Sequence, residues 1–535
     1  MFVRIKRGGN KNHPHDYLQI VESYRERGKP KHRLIANLGR LDGLAADGQL
    51  DRLVQSLARF SQNLRVLSAA QAPQVNSCQS RLWGPPLVFA RLWQRQGLPE
   101  ILGQLAEGRH FQFDVERVVF ALALQRLCAP GSDLFGSHWV KSVQAPGWEP
   151  IELQHFYRTV QWLAEEREGL EKALFDRDRD LFGQQLDLLF VDTTSLYVYR
   201  ERETALRRRG YSRDRRPDLP QIVLCVAVDR QGWPVAWEFF PDNTADTQAL
   251  VKIVTTLRSR LKVGRVIIVA DRGMISQKIL GFLSEDREAP FEYIIGCRMR
   301  KQKEVSQEVL ARGGRFHKVA GNLEVKQVMV KERRYIVCRN PEEARKDATA
   351  RQALLEKLEE TLARGPKALL GNRGFARFLQ MKKGAAQIDP EAVRADARLD
   401  GKFVLRTSTQ LSAEEVAESY KSLWRVERTF REKKSTLEVR PIFHQRDDTS
   451  VGHIVPCFLA LRLEVDLQRR LDRKGVQVSW PTLMHELSQV RSVRLDLDGR
   501  SWLIRTDLEG AAHAAFAAAG VRPPSRITPL EESSA

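Results

Sequence analysis

The sequence predicts an α/β fold, a mixed sheet flanked by helices. Three observations predict it: apolar runs of strand length recur between residues 186 and 299, a helical hydrophobic period fills the stretch before them, and three of the runs close on aspartate. The strand runs are Leu186–Asp192, Gln221–Asp229, Pro234–Phe240, Val266–Asp271 and Glu292–Met299, with an amphipathic helix, Asp246–Leu261, between the third and the fourth. Asn243 or Thr244 is the expected cap of that helix. Three neighbouring strands followed by helix, strand, helix and strand is the order of a ribonuclease-H-like sheet with helices on both faces.

The other elements fall around this core. Residues 1–67 read as a basic β element, in which Phe2-Val3-Arg4-Ile5-Lys6 alternates and Tyr17–Tyr24 and His32–Leu38 flank the turn-rich Arg25–Lys29. It either lies on DNA or packs as a hairpin on the next domain. Residues 68–77 have linker composition. Residues 80–182 form a helical, DNA-binding domain by expectation, with apolar residues at three- and four-residue spacing in Val88–Gln96, Val115–Cys128, Ser132–Val143 and Leu153–Leu181. Pro130-Gly131 and Pro146-Gly147 break that run.

The catalytic core is assigned to residues 183–300 and 400–465. Between its two parts, residues 301–399 form an inserted β-rich domain, with two strands in Lys318–Cys338 and a charged helix at Pro341–Ala363. Gly401–Ser408 returns as a strand. Residues 466–535 are a C-terminal region of helices and a short β stretch, Val493–Thr506, without a functional signal. No internal repeat is evident.

The bulk numbers narrow the function. Apolar content of 42% and charged content of 29% suit a globular protein of several domains. The excess of 87 basic over 67 acidic residues, +20 in all, is the footprint of a nucleic-acid binder, whose phosphate contacts release counterions. Six scattered cysteines include no Cys-x-x-Cys pair, which argues against a zinc knuckle or a disulfide framework. Without a signal-like N-terminus or an uncharged apolar stretch of about 18 residues, a cytoplasmic or nucleoid-associated protein with no membrane partner is expected.

The chemistry lies in three acids. Asp192 and Asp271 close separate apolar strands, and Glu427 lies in a helical stretch over residues 412–434. Tyr420, Glu427 and Lys434 are seven residues apart, so each step returns to within roughly 20° of one helical face. Arg431, one turn from Glu427, adds positive charge there. Three converging carboxylates would repel unless a cation neutralised them. Oxygen ligands without neighbouring Cys or His select Mg²⁺, with Mn²⁺ able to substitute. Two such ions suit phosphodiester hydrolysis and transesterification. The arginine-rich run from Arg200 to Arg216, including Arg213, Arg215 and Arg216, would hold backbone phosphates if placed at the mouth of the site, and a solvated loop is the alternative. Singly, each acid also admits a plainer role: a turn or cap for Asp192 and Asp271, a helical ion pair with Arg431 for Glu427. His444 and His453 fit no ligand pattern and read as structural.

Tyr420, Glu427 and Lys434 stand in the register of a Tyr-x2-Arg-x3-Glu-x6-Lys signature, and here the chain resembles the DDE transposases of bacterial insertion sequences. The likeness continues through Gly210–Gln221, Pro241–Asp246, Asp271–Met274 and Val439–His444, and spans roughly residues 1–465. Leu423 departs from it, standing where the signature has arginine. The resemblance implies that Asp192, Asp271 and Glu427 form a metal-binding catalytic triad and that Tyr420 and Lys434 contact phosphates near the cut end. It further implies a β-rich insertion before the catalytic glutamate and a homodimer acting on paired terminal inverted repeats and a target duplex. Two other readings stay open: a ribonuclease-H-like nuclease without strand transfer, and a non-catalytic DNA-binding descendant of a transposase.

Overall fold

Strands β1 (Phe2–Asn10), β2 (His13–Glu26) and β3 (Lys29–Arg40) form an antiparallel meander at the N-terminus, each longer than its alternating core predicts. Within it Leu18 and Val21 are buried, and both flank irregularities in the β2–β3 register. Two short helices, Leu41–Ala46 and Gln49–Ala58, follow.

The structure, a computed structural model, describes residues 1–530 except 11–12, 27–28, 47, 59, 61–74, 183–187, 211, 213–215, 231, 242–243, 262–266, 272–279, 282, 284–290, 320, 364–374, 376, 383–384, 424–438 and 498–499. Arg213, Arg215, Glu427, Arg431 and Lys434 therefore lie outside the described residues, as do positions 68–74 of the expected linker. Its positions 75–77 belong to a strand, β4 (Val75–Leu82). The chain divides into two units, residues 1–79 with 494–503 and 528–535, and residues 80–493 with 504–527.

In the larger unit the helical period is realised as Gly84–Arg95, Leu98–Leu105, Val115–Cys128, Asp133–Trp139, Leu153–Glu165 and Arg167–Phe182. Asp114 and Ser132 cap the third and fourth, each accepting a backbone N–H bond in the first turn. A 27-residue helix, Asp447–Arg473, packs across Val115–Cys128 and Leu153–Glu165 and is buried on nearly every side from Ser450 to Leu467. Its apolar residues enter the core, and His453, Arg462, Glu464 and Asp466 are buried with them. Gly452 permits the approach, because a Cβ there would stand 1.9 Å from the Val160 carbonyl oxygen. Gly452→Ala is accordingly expected to lower stability by about 1–3 kcal/mol or more through overpacking, seen as a lower urea midpoint.

The central sheet starts with β5 (Leu188–Tyr197), β6 (Gln221–Val228), β7 (Pro234–Pro241), β8 (Ile267–Ala270) and β9 (Glu292–Gly296), in the spatial order β7-β6-β5-β8-β9. β6 runs antiparallel to both neighbours, whereas β5, β8 and β9 are parallel. Parallel strands covered on both faces read as unbroken apolar runs. Successive residues of β5 supply the two faces: Leu188 and Phe190 join the core shared with the helices above, and Leu189 and Val191 join Leu250, Ile253 and Leu257 of the helix Asp246–Ser259. That helix is not capped as expected. Its flanking residue is Ala245, with no side-chain cap, and the Thr244 N–H bonds to the Pro241 carbonyl.

Beyond β9 the sheet continues. β10 (His317–Lys318), β11 (Glu324–Val330) and β12 (Arg333–Arg339) follow in sequence, then the hairpin β13 (Leu379–Lys382) and β14 (Ala385–Ile388), then β15 (Lys402–Thr407). β15 lies antiparallel between β9 and β12, which makes one nine-stranded sheet in the order β10-β11-β12-β15-β9-β8-β5-β6-β7. The helix Pro341–Ala363 lies in the excursion between β12 and β15. β16 (Arg491–Leu497), β17 (Arg500–Arg505) and β18 (Ile527–Leu530) form a separate sheet with β4. Among the described residues no single helix is long and apolar enough to cross a membrane.

Candidate active site

The pairing of β5 with β8 runs from Leu188↔Ile267 to Val191↔Ala270. One residue further along the two chains stand Asp192 and Asp271. Neighbouring strands lie about 4.8 Å apart, so the register makes these two half-buried acids lateral neighbours although 79 positions separate them (271 − 192). The expectation that the first strand ends at Asp192 is corrected: β5 continues to Tyr197, because β6 stays paired with it from Asp192↔Val226 to Tyr197↔Gln221. What ends at this level is the parallel neighbour, and the end of β8 opens the sheet beside Asp192. One Asp192 oxygen accepts the backbone N–H of Thr193 at 2.8 Å.

A third element reaches the same place from far along the sequence. The helix over residues 413–423 starts in a capping box, in which Ser412 Oγ accepts the Glu415 N–H at 3.1 Å and the Glu415 carboxylate accepts the Ser412 N–H at 2.8 Å. These bonds hold the Glu415 carboxyl below its ordinary range. Val416, Ala417 and Leu423 pack inward. On that side Tyr420 stacks on Phe403 of β15, with ring centres 6.0 Å apart and planes 26° apart, and its hydroxyl donates to Asp271 Oδ1 at 3.0 Å. Leu423, which stands where the signature has arginine, is only 2% exposed, so this position takes an apolar side chain for a packing reason. Glu427, Arg431 and Lys434 lie outside the described residues, so their places are not part of this geometry.

The arginine-rich run is less free than its composition suggests. Arg207 is 1% exposed and pairs with Asp447 at 3.0 Å, which makes it an internal residue. Arg208 and Arg209 both reach Glu203, at 3.4 and 3.5 Å. Arg216 pairs with Asp218 at 2.7 Å and lies over the rings of Tyr197 and Tyr199. Arg213 and Arg215 lie outside the described residues.

His444 and His453, read as structural, meet in a buried cluster with Asp133 and Arg126. Ligand atoms of Asp133 and the two histidines lie within 4.8 Å of one another, a spacing that could hold a metal ion. The Arg126 guanidinium, itself 1% exposed, already supplies the cation: it lies 3.6 Å from Asp133 Oδ1 and 3.4 Å from His453 Nδ1. A divalent ion beside it would add like charge in a dry site, so the oxygen pair Asp192 and Asp271 is the better metal candidate. Burial, together with the Arg126 charge, pushes His453 well below the usual histidine value, and burial lowers His444 as well. Below about pH 6.5 the unfolded chain would take up protons that the folded cluster refuses. Stability should therefore fall as the pH drops from 7.5 to 5.5, and urea midpoints of His453→Gln should fall less over that interval.

No curated protein matches the chain. Residues 3–72 match the family model for the IS1634 family transposase, N-terminal domain, and residues 183–463 match the transposase DDE domain. The second match covers more than half of the 535 residues and runs through both strands that lead to Asp192 and Asp271, and on that ground the chain belongs to the DDE transposases of insertion sequences.

Proposed function

We propose that the protein cuts DNA at the ends of its insertion sequence and joins the freed 3′ ends to target DNA, with Asp192, Asp271 and Glu427 as the catalytic carboxylates. The observation that carries this reading is that Asp192 and Asp271 each follow the last pair of β5 and β8, Val191↔Ala270, where the helix of Tyr420 also arrives. The strand order β7-β6-β5-β8-β9, with β6 reversed, supports a ribonuclease-H-like core.

Two adjacent, half-buried carboxylates offering only oxygen donors fit Mg²⁺, with Mn²⁺ as a substitute. Two such ions, when bound, would activate the attacking water or 3′-hydroxyl and stabilise the leaving oxygen. The chain's part is to fix the donors on neighbouring central strands and to align phosphate with nucleophile for in-line displacement. In this reading Tyr420 borders the path of the DNA. Arg431 and Lys434, on the signature stretch, and Arg213, Arg215 and Arg216 neutralise phosphates along it. Pairing of two ends calls for a homodimer on DNA.

The test is incubation of the protein with Mg²⁺ and duplexes carrying the inverted repeats that flank its gene. Cleavage at the repeat ends and joined products are expected, and Asp192→Asn, Asp271→Asn and Glu427→Gln should give neither. Cleavage without joining would favour a nuclease, and binding without cleavage a non-catalytic descendant.

A further inference from the structure

The hydrogen bond from Tyr420 to Asp271 joins two residues 149 positions apart. Asp271 follows a strand buried along its whole length. Tyr420 is held by its ring stack on Phe403 and by a helix whose first turn is locked by a capping box. The phenol therefore addresses one named oxygen, Oδ1, from a fixed direction. A carboxylate has two oxygens, and a donor fixed on one of them sets the plane in which the other is presented. In metal sites such outer partners orient the ligand and strengthen it as a donor.

We propose that Tyr420 is a positioning residue of the candidate metal site: its hydroxyl fixes the Asp271 carboxylate through Oδ1, so that Oδ2 would serve a divalent ion that Asp192 and Asp271 would hold. The inference rests on the reading of Asp192 and Asp271 as metal ligands, and it gives Tyr420 a task that precedes any contact with DNA. The helix that carries the third acid by sequence is thereby also the element that orients the second.

The test measures Mn²⁺ binding to the full chain without DNA, by titration of the free-ion electron paramagnetic resonance signal. Tyr420→Phe keeps the ring and its stack and removes only the hydroxyl. It is expected to weaken Mn²⁺ binding about 10- to 100-fold while the circular dichroism spectrum and melting temperature stay near wild type. A purely structural tyrosine would show the opposite pattern, a lowered melting temperature with unchanged Mn²⁺ affinity, and that result overturns the proposal. The second arm is a double-mutant cycle. In an Asp192→Asn background Tyr420→Phe should weaken the residual binding further, and in an Asp271→Ala background it should add nothing, since no side-chain oxygen is left there for the hydroxyl to hold. Equal effects in both backgrounds would sink the assignment to Asp271. Wild-type Mn²⁺ binding that ignores both Asp192→Asn and Asp271→Asn would overturn the pocket reading as well, which separates that failure from the failure of Tyr420 alone.

Discussion

Asp271→Asn is expected to abolish Mg²⁺-dependent cleavage and joining while leaving DNA binding and folding intact. Asparagine keeps the size of the side chain and keeps an oxygen that can accept the Tyr420 hydroxyl, so the hydrogen bond seen at 3.0 Å can persist. What disappears is the negative charge beside Asp192, and with it the reason for a hard divalent ion to settle there. Outer partners of metal ligands are worth about 10- to 100-fold, so removal of a direct ligand should cost more than about 100-fold in rate. Because DNA is a polyanion, loss of one carboxylate should leave affinity unchanged or slightly tighter, as read by mobility shift without metal. The informative substrate is a pre-cut end with a free 3′-hydroxyl. If one pocket serves both steps, Asp271→Asn must lose joining of that end as completely as it loses cutting. Retained joining would mean that the two steps use different carboxylates.

The pocket was half legible in the sequence, and the reasons are physical. A parallel strand covered on both faces has to be apolar throughout, so Leu188–Val191 and Ile267–Ala270 announce themselves, but the acid after the first run does not mark where cover stops, because β5 stays buried from Thr193 to Leu196. Which strands are neighbours is a tertiary matter. Nothing local says that β15 inserts between β9 and β12, or that residues beyond 300 extend the same sheet. The Tyr420 spacing shows a face but not the partner of that face, and Asp271 as partner follows only from the register of β8. The capping box at Ser412 and Glu415 was readable, being a local Ser-x-x-Glu pattern. The arginine-rich run is partly tied down by acids of its own stretch. Arg208, Arg209 and Arg216 are paired with Glu203 and Asp218, acids two to six residues away that were in plain view, whereas the burial of Arg207 depends on Asp447, 240 positions on (447 − 207). His444 and His453 gave no pattern because their partners, Asp133 and Arg126, lie more than three hundred positions earlier.

Distance in sequence also hides the contact whose loss should cost most in stability. Arg462 of the helix Asp447–Arg473 is 2% exposed and forms a two-pronged pair with Asp178, both bonds at 2.9 Å. The same guanidinium lies over the Trp233 ring at 4.4 Å, while Trp233 Nε1 donates to Asp178 at 2.8 Å and Arg469 covers the ring at 4.9 Å. One residue thus joins the long helix, the helix Arg167–Phe182 and the turn between β6 and β7, and so ties the helical layer to the sheet edge. Arg462→Ala would strand the Asp178 carboxylate in a poorly solvated place and open space beside Trp233. The expected loss is about 3–5 kcal/mol, measured as a lower urea midpoint by tryptophan fluorescence. Most of that loss is the penalty of an abandoned charge, not the worth of the pair. The double variant Arg462→Met with Asp178→Leu should therefore recover much of the midpoint, since neither charge then remains to be solvated. A double variant no better than Arg462→Ala would instead place the value of the pair in its geometry, as the clamp that holds the helix against the sheet.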